Sequence, residues 1–495
     1  MERSAVKKFR SEHWMALILG LFAILFVGFL SLHRALWFDE AIYIGMGKWF
    51  FSHGKIGIFD SLRPLLFPIW VGSLWKLGIN PRVGAIFSNF IFAILSSIIL
   101  FKLSKPLGKF RALPVVFFLL NILVLKFYSF ALTEPLAIFF VCLSIYYFMK
   151  RRYSLFGVFS GLTFLTRFPF AIVFLTGIVQ ILIDKKMRIK SKLSKILSSA
   201  ISFFLVILPY FIFNYFKYNG HMFYPLLSAV RTVSSAPPNN DLLFYPKVLL
   251  SSNIMFAFAI IPIILLCFKS FRNRISRKEV SLLLFNALAF LITLAYFTHV
   301  IHKESRYALA MLPYASLLAA YGLVFIYKRF FEHKSWRIKQ AALILIISIV
   351  VVSGVRTPIR FLNRYATHPE RTDYFYNQNL SHARRFVVQN LKNYSLTDSD
   401  IILTNDVSFT YYTDNKIVSL VFPDYTMKIL DMNLNKSGFI IINTCNLKCY
   451  DAKCELEKSK ILSFINKFPM LFRSPRFGDC RYVVYKNQPI HSLRG

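Results

Sequence analysis

The chain has 495 residues, of which 56% are hydrophobic, and its mean hydropathy is +0.52. A soluble domain of this length could not bury so much apolar surface, so the composition excludes that class and indicates a polytopic membrane protein. The formal net charge of +37 does not favour a nucleic-acid partner. Its basic residues lie in short, separate loops without interleaved aromatic residues.

Apolar segments of about 20 residues, long enough to span a bilayer, recur along the first 355 residues. They lie near 14–32, 83–103, 112–125, 131–149, 197–214, 248–268, 280–298, 308–327 and 341–355. The segment 155–183 is too short for two full spans, but Arg167-Phe168-Pro169 interrupts it and predicts two shortened helices that meet near one face. The total is about 11 transmembrane helices.

Clusters of lysine and arginine alternate with these segments and predict which loops are cytoplasmic. They lie at 3–10, 102–111, 150–152, 185–195, 269–278 and 328–339. The outer segments are then 33–82, 126–130, the break at Arg167, 215–245, 299–307 and the tail after 356. The N-terminus is predicted inside and the C-terminus outside. No small-residue cleavage site follows the first apolar segment, which predicts a retained anchor.

Asp39-Glu40 lies just past the first apolar segment, and carboxylates are rare in this chain. Ionisable groups near the hydrocarbon boundary usually serve a site. The alternative is that Asp39 caps a helix that starts near Ala41. After the pair, Ile42, Met46, Trp49 and Phe50 recur at helical spacing. This pattern predicts a helix in the plane of the membrane interface, with Lys48 free to snorkel.

A second polar cluster, His302-Lys303-Glu304-Ser305-Arg306-Tyr307, is predicted in an outer loop. Three cationic or hydrogen-bonding donors there break the positive-inside pattern, which indicates a function for them.

Two further charged residues, Glu134 and Arg167, are predicted at the same face. Each has an alternative interpretation. Glu134 before Pro135 suits the first turn of a helix through the helix dipole. Arg167 suits a snorkelling side chain at the interface.

The tail from 356 to 495 is polar and predicts an extracytoplasmic α/β domain, separate from a membrane domain over 1–355. An amphipathic helix is expected near 382–391, and strands near 400–404, 416–421, 438–443 and 481–485. The tail holds Cys445, Cys449, Cys454 and Cys480. Their even number outside the cytoplasm favours two disulfides, with three possible connectivities. Zinc binding is the alternative, although paired Cys-x-x-Cys spacing is absent.

Acids and cations on one outer face suit chemistry on a lipid phosphate. Asp39 can accept a proton from an acceptor hydroxyl, and Arg63, Lys303 and Arg306 can stabilise a departing phosphate. Nucleotide sugars are absent outside the cytoplasm, so a sugar donor at this face has to be carried by a lipid.

Five motifs in order resemble the GT-C glycosyltransferases, most closely the protein O-mannosyltransferase and ArnT-like branch. They are Trp37-Phe38-Asp39-Glu40-Ala41-Ile42-Tyr43, Arg63-Pro64-Leu65-Leu66-Phe67-Pro68, Thr133-Glu134-Pro135, the segment Gly161 to Pro169, and His302 to Tyr307 followed by Leu312-Pro313. The resemblance covers about the first 355 residues. The His-Lys-Glu-x-Arg pattern is also similar to mannosyltransferases of the lipid-anchor and lipid-linked-oligosaccharide pathways, except that Tyr307 stands where those have Phe.

The resemblance implies an inverting enzyme that transfers a hexose or pentose from a polyprenyl or dolichyl phosphate to a protein, lipid or glycan. The implied catalytic residues are Asp39, Glu40 and Glu134. The implied donor-phosphate residues are Arg63, Arg167, His302, Lys303, Arg306 and Tyr307. No cofactor is obligatory; a divalent metal is possible, with Asp39 as its ligand. No extended Asp-x-Asp motif and no Trp-Trp-Asp motif is present, which argues against an oligosaccharyltransferase catalytic subunit.

Two other classes remain open from the sequence. A transporter or flippase of lipid-linked sugars would also need basic cavities, but it would more often show pseudo-repeated halves with broken helices at the midplane. A receptor or sensor would make the polar tail the active part and Asp39 dispensable.

Overall fold

The computed structural model describes residues 2–32, 36–234, 239–331, 334–367, 374–420, 437–445 and 452–487. Most of the described residues up to 367 are helical. The α-helices are α1 (Glu2–Leu30), α2 (Phe38–Phe51), α3 (Leu66–Lys76), α4 (Pro81–Leu103), α5 (Leu113–Leu119), α6 (Ile122–Tyr128), α7 (Glu134–Met149), α8 (Tyr153–Thr166), α9 (Ile172–Ile183), α10 (Ile189–Lys217), α11 (Tyr224–Ser234), α12 (Phe244–Ser252), α13 (Ile260–Leu265), α14 (Lys269–Arg274), α15 (Arg277–His299), α16 (Leu312–Phe331) and α17 (Trp336–Thr367). Short 3₁₀ segments occupy Lys105–Phe110, Phe168–Ala171, Ile254–Ala259 and Ser305–Met311.

Six helices among the described residues are long and apolar enough to cross a membrane. They are His13–Leu30, Pro81–Leu103, Ile189–Lys217, Arg277–His299, Ser305–Phe331 and Gln340–Arg364. The pair Phe244–Ser252 and Ile254–Leu265, bent by 120°, would make a seventh. Shorter apolar helices cover Glu134–Met149, Tyr153–Thr166 and Phe168–Ile183. The chain is thus a multi-pass membrane protein, while the count of about 11 spans stays a prediction.

Local sequence explains where several helices begin and end. Asn80 caps α4 by accepting from the amide of Arg82 at 3.1 Å, just before Pro81. Ser276 and Glu279 form a capping box at α15. The break predicted at Arg167 is present, because α8 ends at Thr166.

One predicted span has a different structure. The segment 112–125 was expected to be a single helix, but it contains α5 and α6, each seven residues long. The break falls at Asn121, whose side chain accepts from the amide of Leu123 at 2.9 Å and so starts a new helix. Both short helices are largely buried by their neighbours.

Helix α2 is buried within the protein, and its predicted place in the plane of the membrane interface stays a prediction. Every residue from Asp39 to Lys48 is buried. Its crossing with α3 is close: a Cβ on Gly47 would stand 2.6 Å from the amide nitrogen of Gly72. Only glycine permits this approach, which fixes α2 against α3.

The tail folds into an α/β domain with helices α18 (Tyr374–Asn393), α19 (Phe409–Tyr412) and α20 (Ala452–Ile465). Its strands are β1 (Ile401–Thr404), β2 (Lys416–Ser419), β3 (Ser437–Asn443), β4 (Met470–Arg473) and β5 (Tyr482–Lys486). They form a mixed sheet in the order β2-β1-β3-β5-β4. Strand β1 pairs in parallel with β2 and β3, and β5 pairs antiparallel with β3 and β4. Four of the five strands were predicted; β4 and α20 were not.

Cys445 and Cys480 form a disulfide with a Cα–Cα distance of 5.5 Å. It joins the residues that follow β3 to those that precede β5. Cys449 and the side chain of Cys454 lie outside the described residues, so the second predicted disulfide stays a prediction.

Candidate active site

Asp39 lies in the first turn of α2 and does not cap the helix. The helix begins at Phe38, so the carboxylate projects from inside it. Oδ1 of Asp39 accepts from Nη2 of Arg63 at 2.5 Å, and Oδ2 accepts from Nη1 of Arg306. The residue is only 7% exposed. The capping alternative is therefore wrong, since both oxygens are used by guanidinium groups.

Burial would raise the pKa of Asp39, but the charges of Arg63 and Arg306 outweigh it and hold the pKa well below its usual range. Asp39 is therefore an anion in this arrangement, and a weak base while both arginines stay in place.

Arg63 is oriented by three neighbours. Its Nε donates to Asp60 at 3.1 Å and its Nη1 to the hydroxyl of Tyr43 at 3.0 Å, in addition to the bond to Asp39. Asp60 in turn accepts from the amide of Leu62 at 2.8 Å, which shapes the loop before α3. Tyr43 stands one helical turn after Asp39, so its ring and the carboxylate share one face of α2.

Arg306 is the second cation and is 8% exposed. Besides Asp39, it contacts Glu304, with Nε 2.5 Å from Oε2 and Nη2 3.2 Å from Oε1. The same Oε1 lies 2.7 Å from Nε2 of His302. The guanidinium group also lies over the rings of Trp37 and Tyr307, at 5.3 and 5.4 Å from their centroids. His302, Arg306 and Tyr307 are thus at this site, as the sequence predicted.

Lys303 is oriented differently from its neighbours. Its ammonium group donates to the backbone carbonyl of Asp241 at 2.7 Å, in the segment before α12. The described contacts do not connect it to Asp39.

Glu134 and Arg167 complete the cluster. Oε1 of Glu134 lies 2.9 Å from Nη1 of Arg167 and 3.9 Å from Nε of Arg306. Glu134 is fully buried. Arg167 also donates to Thr133 at 3.1 Å and lies over the ring of Tyr307 at 5.3 Å. Arg167 is consequently paired inside the protein, and the snorkelling alternative does not describe it.

The cluster is nearly balanced in charge. Its carboxylates are those of Asp39, Asp60, Glu134 and Glu304, and its guanidinium groups are those of Arg63, Arg167 and Arg306. A buried charge is costly unless a charge of the opposite sign pairs with it, which explains why each guanidinium group in the cluster contacts at least one carboxylate. A phosphate that enters this site has to compete with carboxylates for the guanidinium donors.

Glu40 has a different environment from Asp39, although the two are adjacent. Its oxygens accept from the amide of Trp37 at 2.9 Å, from the amide of Ala131 at 2.8 Å and from Arg82 at 3.3 Å. It is fully buried. Glu40 therefore ties the start of α2 to α4 and to the segment before α7, which suits a structural role.

The donor set at Asp39 does not fit a divalent metal, because both carboxylate oxygens accept from arginines. Among the described residues, no group of three or more His, Cys, Asp or Glu side chains is arranged to hold a metal ion.

Sequence reasoning missed Tyr43 as a member of the site, and it missed Arg82 as the partner of Glu40. Arg82 follows the helix start at Asn80-Pro81, and its partner Glu40 is 42 residues away, so only the fold pairs them. A signal for Tyr43 existed in its spacing of four residues from Asp39.

Comparisons with solved structures show that the chain has a known fold. No protein-family model and no curated protein matches the chain. Among solved structures, ArnT from Cupriavidus metallidurans bound to undecaprenyl phosphate aligns with a TM-score of 0.65 and 12% identity, over 98% of this chain and 99% of that one. Its apo state aligns with a TM-score of 0.66 and 11% identity over the same shares. The Archaeoglobus fulgidus oligosaccharyltransferase, in complex with zinc and sulfate, gives 0.53 and 11%, over 86% of this chain and 68% of that one. The chain therefore has the GT-C fold, as its motifs predicted.

Proposed function

We propose that the chain is a glycosyltransferase that uses a polyprenyl-phosphate-linked sugar as its donor. One observation carries the proposal: four segments far apart in sequence converge to place Asp39, Arg63, Glu134, Arg167 and Arg306 in one buried cluster. The likeness to ArnT bound to undecaprenyl phosphate supports the choice of a lipid-phosphate donor. The acceptor is a protein, lipid or glycan at the outer face.

In the proposed reaction, the oxygen of an acceptor hydroxyl attacks the anomeric carbon opposite the lipid phosphate. A carbon–oxygen bond to the acceptor forms as the bond to the phosphate oxygen breaks, so the anomeric configuration inverts. The electron pair leaves with the polyprenyl phosphate, and the hydroxyl proton passes to Asp39. Arg63 and Arg306 stabilise the charge that develops on the phosphate.

Donor binding also activates the base in this proposal. Arg306 contacts both Asp39 and Glu304 in the ligand-free arrangement. When a phosphate takes over part of the hydrogen bonding of Arg306 and Arg63, Asp39 loses charge stabilisation and becomes more basic. Proton acceptance is thereby confined to the enzyme that holds a donor. Glu134 keeps Arg167 in place beside Tyr307, and His302 and Lys303 extend the phosphate site at its edge.

The test uses the purified chain in nanodiscs with a panel of polyprenyl-phosphate hexoses and pentoses and an extract of envelope acceptors. Release of polyprenyl phosphate and gain of sugar mass on an acceptor are followed by mass spectrometry. The wild type is expected to release polyprenyl phosphate. Asp39→Asn is expected to lose about 10²- to 10⁴-fold in rate, as for removal of a general base.

The matched control is Glu455→Gln, an exposed carboxylate on α20 that pairs with Lys458 at 2.9 Å. It is expected to keep wild-type rates. Translocation of an intact lipid-linked sugar across the bilayer of proteoliposomes, without release of polyprenyl phosphate, would contradict the proposal and favour the transporter class.

A further inference from the structure

The C-terminal domain makes buried hydrogen bonds on both sides of Asp39. Nη1 of Arg384, on α18, donates to the carbonyl of Leu36 at 3.4 Å. Oγ1 of Thr410, on α19, donates to the carbonyl of Ala41 at 2.8 Å. Leu36 and Ala41 stand three residues before and two residues after Asp39. The backbone that carries the candidate base is therefore held at two points by a domain that lies more than 340 residues away in sequence.

Arg384 is itself fixed by a buried ion pair. Its Nε and Nη2 lie 3.0 and 2.9 Å from Oδ2 of Asp406, and its Nε donates to the hydroxyl of Tyr482 at 3.1 Å. Burial would raise the pKa of Asp406, but Arg384 holds that pKa below its usual range. Buried pairs of this kind often add little stability compared with apolar residues, so their use here suits a role in fixing geometry.

A third contact holds the far end of α2. Nζ of Lys48 donates to Oδ1 of Asp414 at 2.8 Å and to the carbonyl of Thr413 at 3.0 Å. Lys48 is 3% exposed, so the snorkelling role predicted for it is wrong. Burial lowers the pKa of Lys48, and the bond to Asp414 opposes that change. Burying the ammonium group of Lys48 without Asp414 would cost free energy, so this contact favours one position of α2 against the C-terminal domain.

The loop after α2 continues the sheet of the C-terminal domain. The amide of Gly57 donates to the carbonyl of Asn415 at 3.0 Å, and the amide of Ile417 donates to the carbonyl of Gly57 at 2.9 Å. Gly57 has φ of +79°, and a Cβ there would stand 2.2 Å from the carbonyl oxygen of Gly45. Only glycine fits at position 57, so the loop packs closely against α2 while it pairs with β2.

We propose that the segment 409–417 of the C-terminal domain, with Arg384, positions Asp39 for proton transfer. These residues do not touch Asp39 in the described contacts; they set the place and tilt of the helix that bears it. Catalysis needs the reacting groups within a fraction of an ångström of the productive geometry, so a small shift of α2 would lower turnover. The inference rests on the proposed function for its effect on rate, and on the structure alone for its effect on α2.

Two isosteric changes test it. Thr410→Val removes the hydroxyl that bonds to Ala41 without changing volume, and Thr410→Ser restores it. Lys48→Met removes the ammonium group, and Lys48→Arg restores the charge. Each loss variant is expected to lower kcat about fivefold, the value of one hydrogen bond, with less than a twofold change in the KM for the polyprenyl-phosphate sugar. Each restoring variant is expected to recover most of kcat.

The matched controls lie in the same domain but away from α2. Lys458→Met removes a half-buried surface lysine that pairs with Glu455, and Thr444→Val removes an exposed hydroxyl that donates to the carbonyl of Arg481 at 3.2 Å. Both are expected to keep wild-type kcat. The melting temperature is measured for every variant, so that a general loss of folding is recognised.

Hydrogen–deuterium exchange over residues 36–52 gives a readout that does not depend on activity. Thr410→Val and Lys48→Met are expected to exchange faster in this segment while α4 and α15 exchange as in the wild type. Unchanged protection of α2, or faster exchange with unchanged kcat, would overturn the inference. If the wild type transfers no sugar at all, the proposed function fails, and the exchange data alone decide whether the domain anchors α2.

Discussion

Asp39 and Glu304 bind the same guanidinium group, that of Arg306. Asp39 lies on α2 and Glu304 directly precedes the 3₁₀ segment Ser305–Met311, and Arg306 joins the two carboxylates. Glu304 is the more accessible partner, with 27% of its side chain exposed, whereas 10% of the Asp39 side chain is exposed. In the proposed function, an incoming phosphate would therefore meet Glu304 first and compete with it for the guanidinium group of Arg306.

Glu304→Gln is expected to bind undecaprenyl phosphate more tightly than the wild type. The amide keeps the shape of the side chain but removes the negative charge that competes for Arg306. We expect the Kd to fall about fivefold, which corresponds to about 1 kcal/mol. Binding is measured with radiolabelled undecaprenyl phosphate on the protein in nanodiscs. Weaker binding would mean that Glu304 orients Arg306 for the phosphate instead of competing with it, and Glu455→Gln serves as the control.

Arg306 and Lys303 are expected to differ in importance for donor use. Arg306 contacts the candidate base, whereas the ammonium of Lys303 is held by the carbonyl of Asp241. We expect Arg306→Lys to lower kcat/KM for the donor by about 10²-fold, because the planar fork is lost. Lys303→Met is expected to cost less than about fivefold, the value of one hydrogen bond. Steady-state kinetics with a purified donor checks the order, and an equal loss in both variants would contradict it.

The pH dependence reports whether donor binding activates Asp39. In the free enzyme, Arg63 and Arg306 keep the pKa of Asp39 well below its usual range, despite its burial. Activity is lost as the pH falls and Asp39 gains a proton. The acid limb of kcat/KM reports the free enzyme and that of kcat reports the donor complex. We expect the limb of kcat to lie at the higher pH, since the phosphate draws the arginines away. If the acid limbs of kcat and kcat/KM coincide, this mechanism is contradicted. The residual activity of Asp39→Asn is expected to show no acid limb in either profile.

The sequence was informative where a signal is local. The break at Arg167 follows from the nearby Pro169. The alternation of basic loops predicted that the charged segments of Asp39, Arg167 and Arg306 share one side, and the structure brings them together. Because ionisable residues near the membrane are rare, Asp39, Arg63 and Arg306 could be selected as a site before any contact was known.

The sequence was not informative where a partner is distant. Lys48 looks like a snorkelling residue on an amphipathic helix, yet it pairs with Asp414, 366 residues away. Glu40 looks like a second catalytic carboxylate beside Asp39, but the fold brings Arg82 and the amide of Ala131 to it. Adjacent residues on a helix point in different directions, so one acid faces the arginine cluster while its neighbour joins the scaffold.

The orientation of the chain in the membrane can be tested by labelling of single cysteines. Cys142 and Cys267 are the free cysteines among the described residues, and they are first replaced by serine together with Cys449 and Cys454. Ser61→Cys and Ser305→Cys lie next to Arg63 and Arg306 in the loops that form the site. Ser191→Cys and Ser276→Cys lie in basic clusters that are predicted to be cytoplasmic.

An impermeant maleimide added to intact cells is expected to label the cysteines at 61 and 305 and to leave those at 191 and 276 unlabelled until the membrane is opened. The opposite pattern would place the arginine cluster in the cytoplasm, where nucleotide sugars are available. A lipid-carried donor would then no longer be required by location, and the proposed substrate class would lose its main chemical support. Labelling of 61 and 305 from different sides would contradict the contact of Asp39 with both Arg63 and Arg306.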